Sequence, residues 1–158
     1  MKTCDLVKAL RLFLRLNGGP WSVLEDVPNG TGAAQERRCD VLAMNTWPSA
    51  GLGVDGFELK VSRGDWLREL RDPGKATAVQ RYCDHWWLVA GDASVCPDPA
   101  ELPDGWGLLV ANAAGDLEVV VQAPALLAEP LDRAFVAALV RKIERFADTP
   151  LETNVKQA

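Results

Sequence analysis

The chain has 158 residues, 48% hydrophobic and 25% charged, with a formal net charge of −5. That length suits one domain, and the apolar share is enough for a real core, which excludes an intrinsically disordered chain. No apolar run reaches the ~18 residues that cross a bilayer, and the acidic balance excludes a general nucleic-acid coating protein.

The opening Met1-Lys2-Thr3-Cys4-Asp5 puts an acid where a secretory signal wants a positive region followed by a long apolar stretch. The expectation is a cytoplasmic protein with no membrane partner. Residues 5–16 predict an amphipathic helix with Leu6, Leu10, Phe13 and Leu14 on one face, stopped by Asn17-Gly18-Gly19-Pro20. A strand over 21–27 and a turn-rich loop over 28–32 follow. Strands over 39–44 and 55–62 flank a loop containing Pro48, Gly51 and Gly53.

Next comes a helix over 64–71, with Ser62 and Asp65 near its start. A second helix follows Asp72-Pro73, where Asp can cap and Pro suits the first helical position, and runs to about Cys83. Residues 86–90 read as a strand buried on both faces. Strands over 106–110 and 117–122 flank Ala114-Gly115-Asp116 as a hairpin. A helix over 131–146 sets Phe135, Leu139, Ile143 and Phe146 in register. Residues 1–148 form a single domain and 149–158 a flexible polar tail. The order α-β-β-β-α-α-β-β-β-α predicts an α/β (α+β) domain with a mixed central β-sheet flanked by helices.

Several chemistries are excluded. The cysteines at 4, 39, 83 and 96 form no C-x-x-C pair, and all four read as small buried hydrophobes. With His85 as the single histidine, a two-histidine metal site cannot exist, and any Ser-His-Asp arrangement would have to use it. His85 begins a buried strand, which favours a structural role. There is no Gly-rich phosphate loop and no nucleophile elbow, so a hydrolase acting on another substrate class ranks last. What chemistry remains rests on carboxylates and lysine.

Alternation in a strand places Phe57, Leu59 and Val61 on one face and Glu58 and Lys60 together on the other. Pairing with the preceding strand brings Asp40 alongside Glu58, since cross-strand neighbours have Cβ atoms ~4.5–5.5 Å apart. Asp40 and Glu58 can then share a hard divalent cation, Mg²⁺ or Mn²⁺, through oxygen. Lys60 on the same face can orient water or stabilise charge developing on a scissile phosphate. Asp55 is the rival first acid, but its parity sends it to the opposite face. An E-x-K pair alone is equally well read as a solvated strand face carrying an ordinary ion pair. The stretch 60–81 adds six bases against three acids. Arg63, Arg68, Arg71 and Lys75 are its candidate phosphate contacts. Their alternative is a solvated helix face with Arg68 and Asp72 paired at i,i+4. Trp47, in the loop after the Asp40 strand, is the candidate for touching a base.

Asp40…Glu58-x-Lys60 followed by a helix resembles the PD-(D/E)XK nuclease superfamily, the restriction-endonuclease-like fold. The run from Gly56 to Leu70, with Asp72-Pro73-x-Lys75 and Tyr82-Cys83-Asp84-x-Trp86-Trp87-Leu88-Val89, is more specifically similar to MmcB-like DNA-repair nuclease-like proteins. The likeness spans about residues 21–122. It implies a Mg²⁺-dependent DNA endonuclease with Asp40 and Glu58 as metal ligands and Lys60 as the catalytic lysine. It further implies Glu25 as an added acid, and Lys75, Gln80 or Tyr82 as an auxiliary polar residue. The chain lacks the usual Pro before its first acid (Cys39-Asp40). DNA is the expected partner, and a homodimer is compatible with cutting both strands. The competing reading is a non-catalytic DNA- or protein-binding module on the same fold.

Overall fold

A computed structural model describes residues 1–72 and 74–147, with the side chain of Phe146 set aside. Pro73 and the polar tail therefore lie outside the described residues. The elements are α1 (Thr3–Leu16), β1 (Trp21–Pro28), β2 (Arg38–Asn45), β3 (Val54–Lys60), α2 (Arg63–Glu69), α3 (Gly74–Gln80), β4 (His85–Ala90), β5 (Trp106–Ala111), β6 (Leu117–Val121) and α4 (Arg133–Ala147), joined by three short 3₁₀ turns. The expected order of helices and strands is present throughout. The first helix after β3 is shorter than expected, however, ending at Glu69.

The six strands form one sheet in chain order. β1, β2 and β3 run antiparallel, β3–β4 and β4–β5 run parallel, and β5–β6 is antiparallel again. The parallel step from β3 to β4 needs a crossover, and α2 and α3 supply it. This is an α/β architecture with a mixed sheet flanked by four α-helices.

Both faces of the sheet are covered, so the central strands are apolar in nearly every position. On one face Leu6, Leu10 and Leu14 of α1 pack on Val41, Phe57, Leu59, Trp87 and Val89. On the other, Trp66, Ala76, Val79 and Phe135 from α2, α3 and α4 pack on Leu42, Trp86, Leu88 and Leu108. Trp86 and Trp87 thus go to opposite faces. Gly56, paired with Trp86, has no side chain because a Cβ there would overlap the Trp86 ring.

Two apolar expectations fail at the surface. Ile143 of α4 is 54% exposed, while Phe135 and Leu139 of the same helix pack against the core of the sheet. Cys4 is exposed in the first turn of α1, while Cys39, Cys83 and Cys96 are buried, and all four are free thiols. No described helix is long and apolar enough to cross a membrane.

Candidate active site

The end of β3 carries the cluster. Glu58 pairs with Leu88 and Lys60 with Ala90, both on the face roofed by α2 and α3. Phe57 and Leu59 take the α1 face, as alternation requires. Asp40 lies one step beyond the last paired residues, Val41 and Phe57, and its Oδ2 accepts the Leu59 N–H at 2.8 Å. Asp40 and Glu58 therefore stand beside each other at the same end of the sheet.

Glu58 is 5% exposed, which removes the reading of a solvated strand face. Lys60 Nζ donates to Glu58 Oε1 at 2.7 Å and lies 3.1 Å from Glu69 Oε2. Glu69 is itself buried beneath α2 and also meets Lys75 Nζ at 3.5 Å. A buried charge persists when it is paired, and here two carboxylates bracket one ammonium.

The electrostatics follow from that crowding. Burial pushes the Glu58 carboxyl up to about 7, and the nearby Asp40 charge pushes the same way against the pull of Lys60. Burial works against the Lys60 ammonium, but Glu58 at bonding distance, with Asp40 and Glu69 behind it, holds Lys60 above its ordinary value. Burial also opposes ionisation of Glu69, yet the Lys60 and Lys75 charges outweigh it and keep Glu69 below the usual carboxylate value. Two neighbouring carboxyls, Glu58 and Glu69, are thereby driven apart in proton affinity.

The cluster opens on a cleft of about 360 Å³ lined by Asp40, Lys60, Asp65, Arg68, Glu69, Asp72 and Lys75, among others. α2 is fixed above it by Ser62, whose Oγ accepts the Asp65 N–H at 3.2 Å as the N-cap. Trp66, at 0% exposure, then drives the helix into the core and carries Glu69, three residues on, to the same buried side.

Of the other residues singled out above, Lys75 and Arg68 reach the cleft. Arg68 pairs with Asp65 rather than Asp72, which instead meets Arg37 at 3.5 Å. Arg71 is exposed on the turn after α2. Arg63 is committed elsewhere, gripping Glu101 with both guanidinium nitrogens and donating to the Val95 carbonyl at 3.2 Å.

Glu25 does not join the acids. It pairs with Val41, which faces α1, and its carboxylate accepts from Arg11 of that helix at 2.8 Å. Trp47 is 59% exposed but follows the far end of β2, roughly 20 Å from Asp40 by strand rise. Antiparallel pairing puts the loop after β2 at the opposite end of the sheet from Lys60. Tyr82 is buried, stacked on Phe135 at 4.4 Å with its hydroxyl donating to Asp132 at 2.5 Å, and Gln80 ends α3 without lining the cleft. Asp55 faces α1, as its parity predicts, accepting from Trp87 Nε1 at 3.2 Å and meeting His85 Nδ1 at 3.1 Å. His85 is thus engaged in structure.

Glu69 is the site residue that strand spacing did not reveal. The signal was an acid three residues after Trp66, on the apolar stripe of a short helix, where a solvated acid has no place.

Asp40 and Glu58 are neighbouring carboxylates, the hard donor type a divalent cation takes, with Asp40 Oδ2 accepting from the Leu59 N–H and Glu58 Oε1 from Lys60 Nζ. No three acid, histidine or cysteine side chains converge into a ready-made cage among the described residues. Mg²⁺ is commonly held by one or two carboxylates, with waters and substrate completing its shell, so a two-acid site meets that requirement.

Fold and site together define an α/β domain with a buried carboxylate–lysine cluster at one end of a mixed sheet. No family model matches the chain, and no curated protein matches it. Among solved structures it is similar to a protein of unknown function from Silicibacter pomeroyi. The two are 25% identical with a TM-score of 0.59, over 90% of this chain and 89% of that one.

Proposed function

We propose that the chain is a metal-dependent DNA endonuclease-like protein that hydrolyses phosphodiester bonds, of the restriction-endonuclease-like PD-(D/E)XK kind, acting in cytoplasmic DNA repair or processing. The observation that carries this reading is the gathering of Asp40, Glu58 and Lys60 at one sheet end, with Asp40 and Lys60 lining a cleft open to solvent and Glu58 buried behind them against Lys60.

Asp40 and Glu58 would hold Mg²⁺ or Mn²⁺, which supplies Lewis-acid polarisation of the phosphate when bound. Glu58 must give up its proton to act as a ligand, and the neighbouring Lys60 favours the ionised form. The Lys60 ammonium, held between Glu58 and Glu69, is a fixed positive charge for the oxygens of a pentacovalent transition state. Glu69 positions Lys60, and Lys75 at the rim of the cleft meets the incoming phosphate.

The test is incubation of purified protein with duplex, branched and single-stranded DNA in Mg²⁺ or Mn²⁺. Cleavage that Lys60→Ala abolishes is expected. If neither metal gives such cleavage, the enzyme reading fails. One observation favours a second reading, a non-catalytic binding module: Lys60 is already satisfied by two carboxylates, with no three-ligand cage beside it. Under that reading calorimetry detects no Mn²⁺ uptake, and DNA or protein binding survives Glu58→Ala.

A further inference from the structure

A second concavity, of about 270 Å³, lies where the loop between β1 and β2 meets α4. Arg38, Arg141, Lys142 and Arg145 line it with Gly30 and Thr31, and no acidic residue does among the described residues. Asp26 holds two of these cations from the side of β1. Its carboxylate grips Arg38 through Oδ1 at 2.5 Å and Oδ2 at 2.9 Å, and lies 3.7 Å from Lys142 Nζ. Asp26 does so from a left-handed backbone conformation, φ 52°, which Asp tolerates better than most residues. Arg38 is therefore fixed in direction rather than swinging freely in solvent.

This concavity adjoins the candidate active site through the first residues of β2. Arg37 pairs with Asp72 of the cleft, Arg38 lines the basic pocket, and Asp40 lines the cleft again. Arg38 and Asp40 are about 7 Å apart along the strand, so a polyanion seated in one concavity can continue into the other. The cleft is itself a poor attractor of a polyanion, because Asp40, Asp65, Glu69 and Asp72 stand against Lys60, Arg68 and Lys75. With a chain charge of −5, affinity for a phosphate backbone has to come from a concentrated basic surface. The pocket is such a surface.

We propose that this pocket binds the phosphate backbone of a DNA strand a few nucleotides from the bond presented to Asp40, Glu58 and Lys60. The inference rests on the nuclease reading for the identity of the strand, and supplies the grip that the cleft lacks. Arg141 and Arg145, one helical turn apart on α4, contact successive phosphates, and Arg38, whose Nε and Nη2 are held by Asp26, offers its remaining Nη1 to a third.

The experiment measures binding of fluorescein-labelled duplex and single-stranded oligonucleotides by anisotropy, in EDTA, across a salt series. Wild type, Lys8→Ala as a charge control on the exposed side of α1, and the Arg141→Ala/Arg145→Ala double variant are compared, with a melt confirming that each is folded. Wild type and Lys8→Ala are expected to bind alike. The double variant loses tenfold or more, and its log K against log salt slope falls by about two. Unchanged affinity and slope in the double variant overturn the proposal, as does absence of DNA binding by wild type. Competition with inorganic phosphate distinguishes a small-anion site. If the double variant loses phosphate binding but keeps DNA binding, the pocket is not a strand site. DNA bound through the pocket but never cut sinks the hydrolase reading alone, and DNA cut equally by the double variant sinks this one alone.

Discussion

Lys60 Nζ lies 2.7 Å from Glu58 Oε1 on its own strand and 3.1 Å from Glu69 Oε2 on the helix that follows. The first contact joins residues that alternation already placed side by side. The second crosses from strand to helix and makes Lys60 the meeting point of two elements. It requires α2 to enter at the angle set by the Ser62 cap and buried Trp66. Lys60 is therefore held rigidly, and its charge stands at a fixed point in the cleft.

Glu69 should accordingly matter to activity without touching substrate. In Glu69→Gln, Lys60 keeps only Glu58 as an ionic partner and Lys75 loses its anchor. Under the nuclease reading, single-turnover cleavage of a labelled duplex falls roughly 10–100-fold, the range for supporting partners of a metal site. Glu69→Asp should recover part of the loss. Cleavage by Glu69→Gln within twofold of wild type would remove Glu69 from the machinery.

The proton affinity of Glu58 sets a pH dependence of stability. Its carboxyl is raised from 4.5 to about 7 on folding, so the folded chain binds this proton more tightly than the unfolded chain. Glu58 then costs nothing below about pH 4.5. Its cost grows as pH rises to about 7 and is constant above, at roughly 3 kcal/mol. Glu58→Gln cannot ionise, so its melting temperature should overtake that of wild type progressively between pH 4.5 and 7. Parallel melting curves for the two proteins across that window would contradict the assignment.

Trp47 and Glu25 provide the negative controls. Trp47→Ala should leave DNA affinity within twofold of wild type, since its loop lies at the far end of the sheet. Glu25→Ala breaks a half-exposed pair with Arg11, worth under about 1 kcal/mol, and should leave Mn²⁺ affinity unchanged in calorimetry. A tenfold loss of metal affinity in Glu25→Ala would return that acid to the ligand set.

Gly56→Ala tests the packing under the site. The new methyl would overlap the Trp86 ring, a side chain at 1% exposure with no room to withdraw. Chemical denaturation should report a loss of about 1–3 kcal/mol or more. Because Gly56 is two residues from Glu58, any displacement of β3 should also disturb the Glu58–Lys60 pair. A variant as stable as wild type would show that Trp86 can shift.

Much of the architecture was legible in the chain itself, because hydrophobic period and turn chemistry are local. The 3.6 period of Leu6, Leu10 and Leu14, the apolar block over 86–90, and the Pro and Gly at 48, 51 and 53 placed elements within a few residues. The parity of β3 separated Glu58 and Lys60 from Phe57 and Leu59, and antiparallel pairing implied Asp40 beside Glu58. Those inferences needed only strand geometry.

What the sequence could not decide was which residues from distant elements share a face or an end. Glu25 and Asp40 both sit on adjacent strands, yet pairing register sends Glu25 to Arg11 on the α1 side. Trp47 follows the Asp40 strand closely in sequence, but a strand carries its two ends apart. Glu69 looked like one charge among several, until the burial of Trp66 turned its helix inward to Lys60. The buried proton balance of Glu58 likewise depends on a helix roof that no strand pattern contains. Local periodicity determined the elements and the Glu58–Lys60 pair. Only the tertiary packing, by burying that pair under α2, made it a three-group cluster with Glu69.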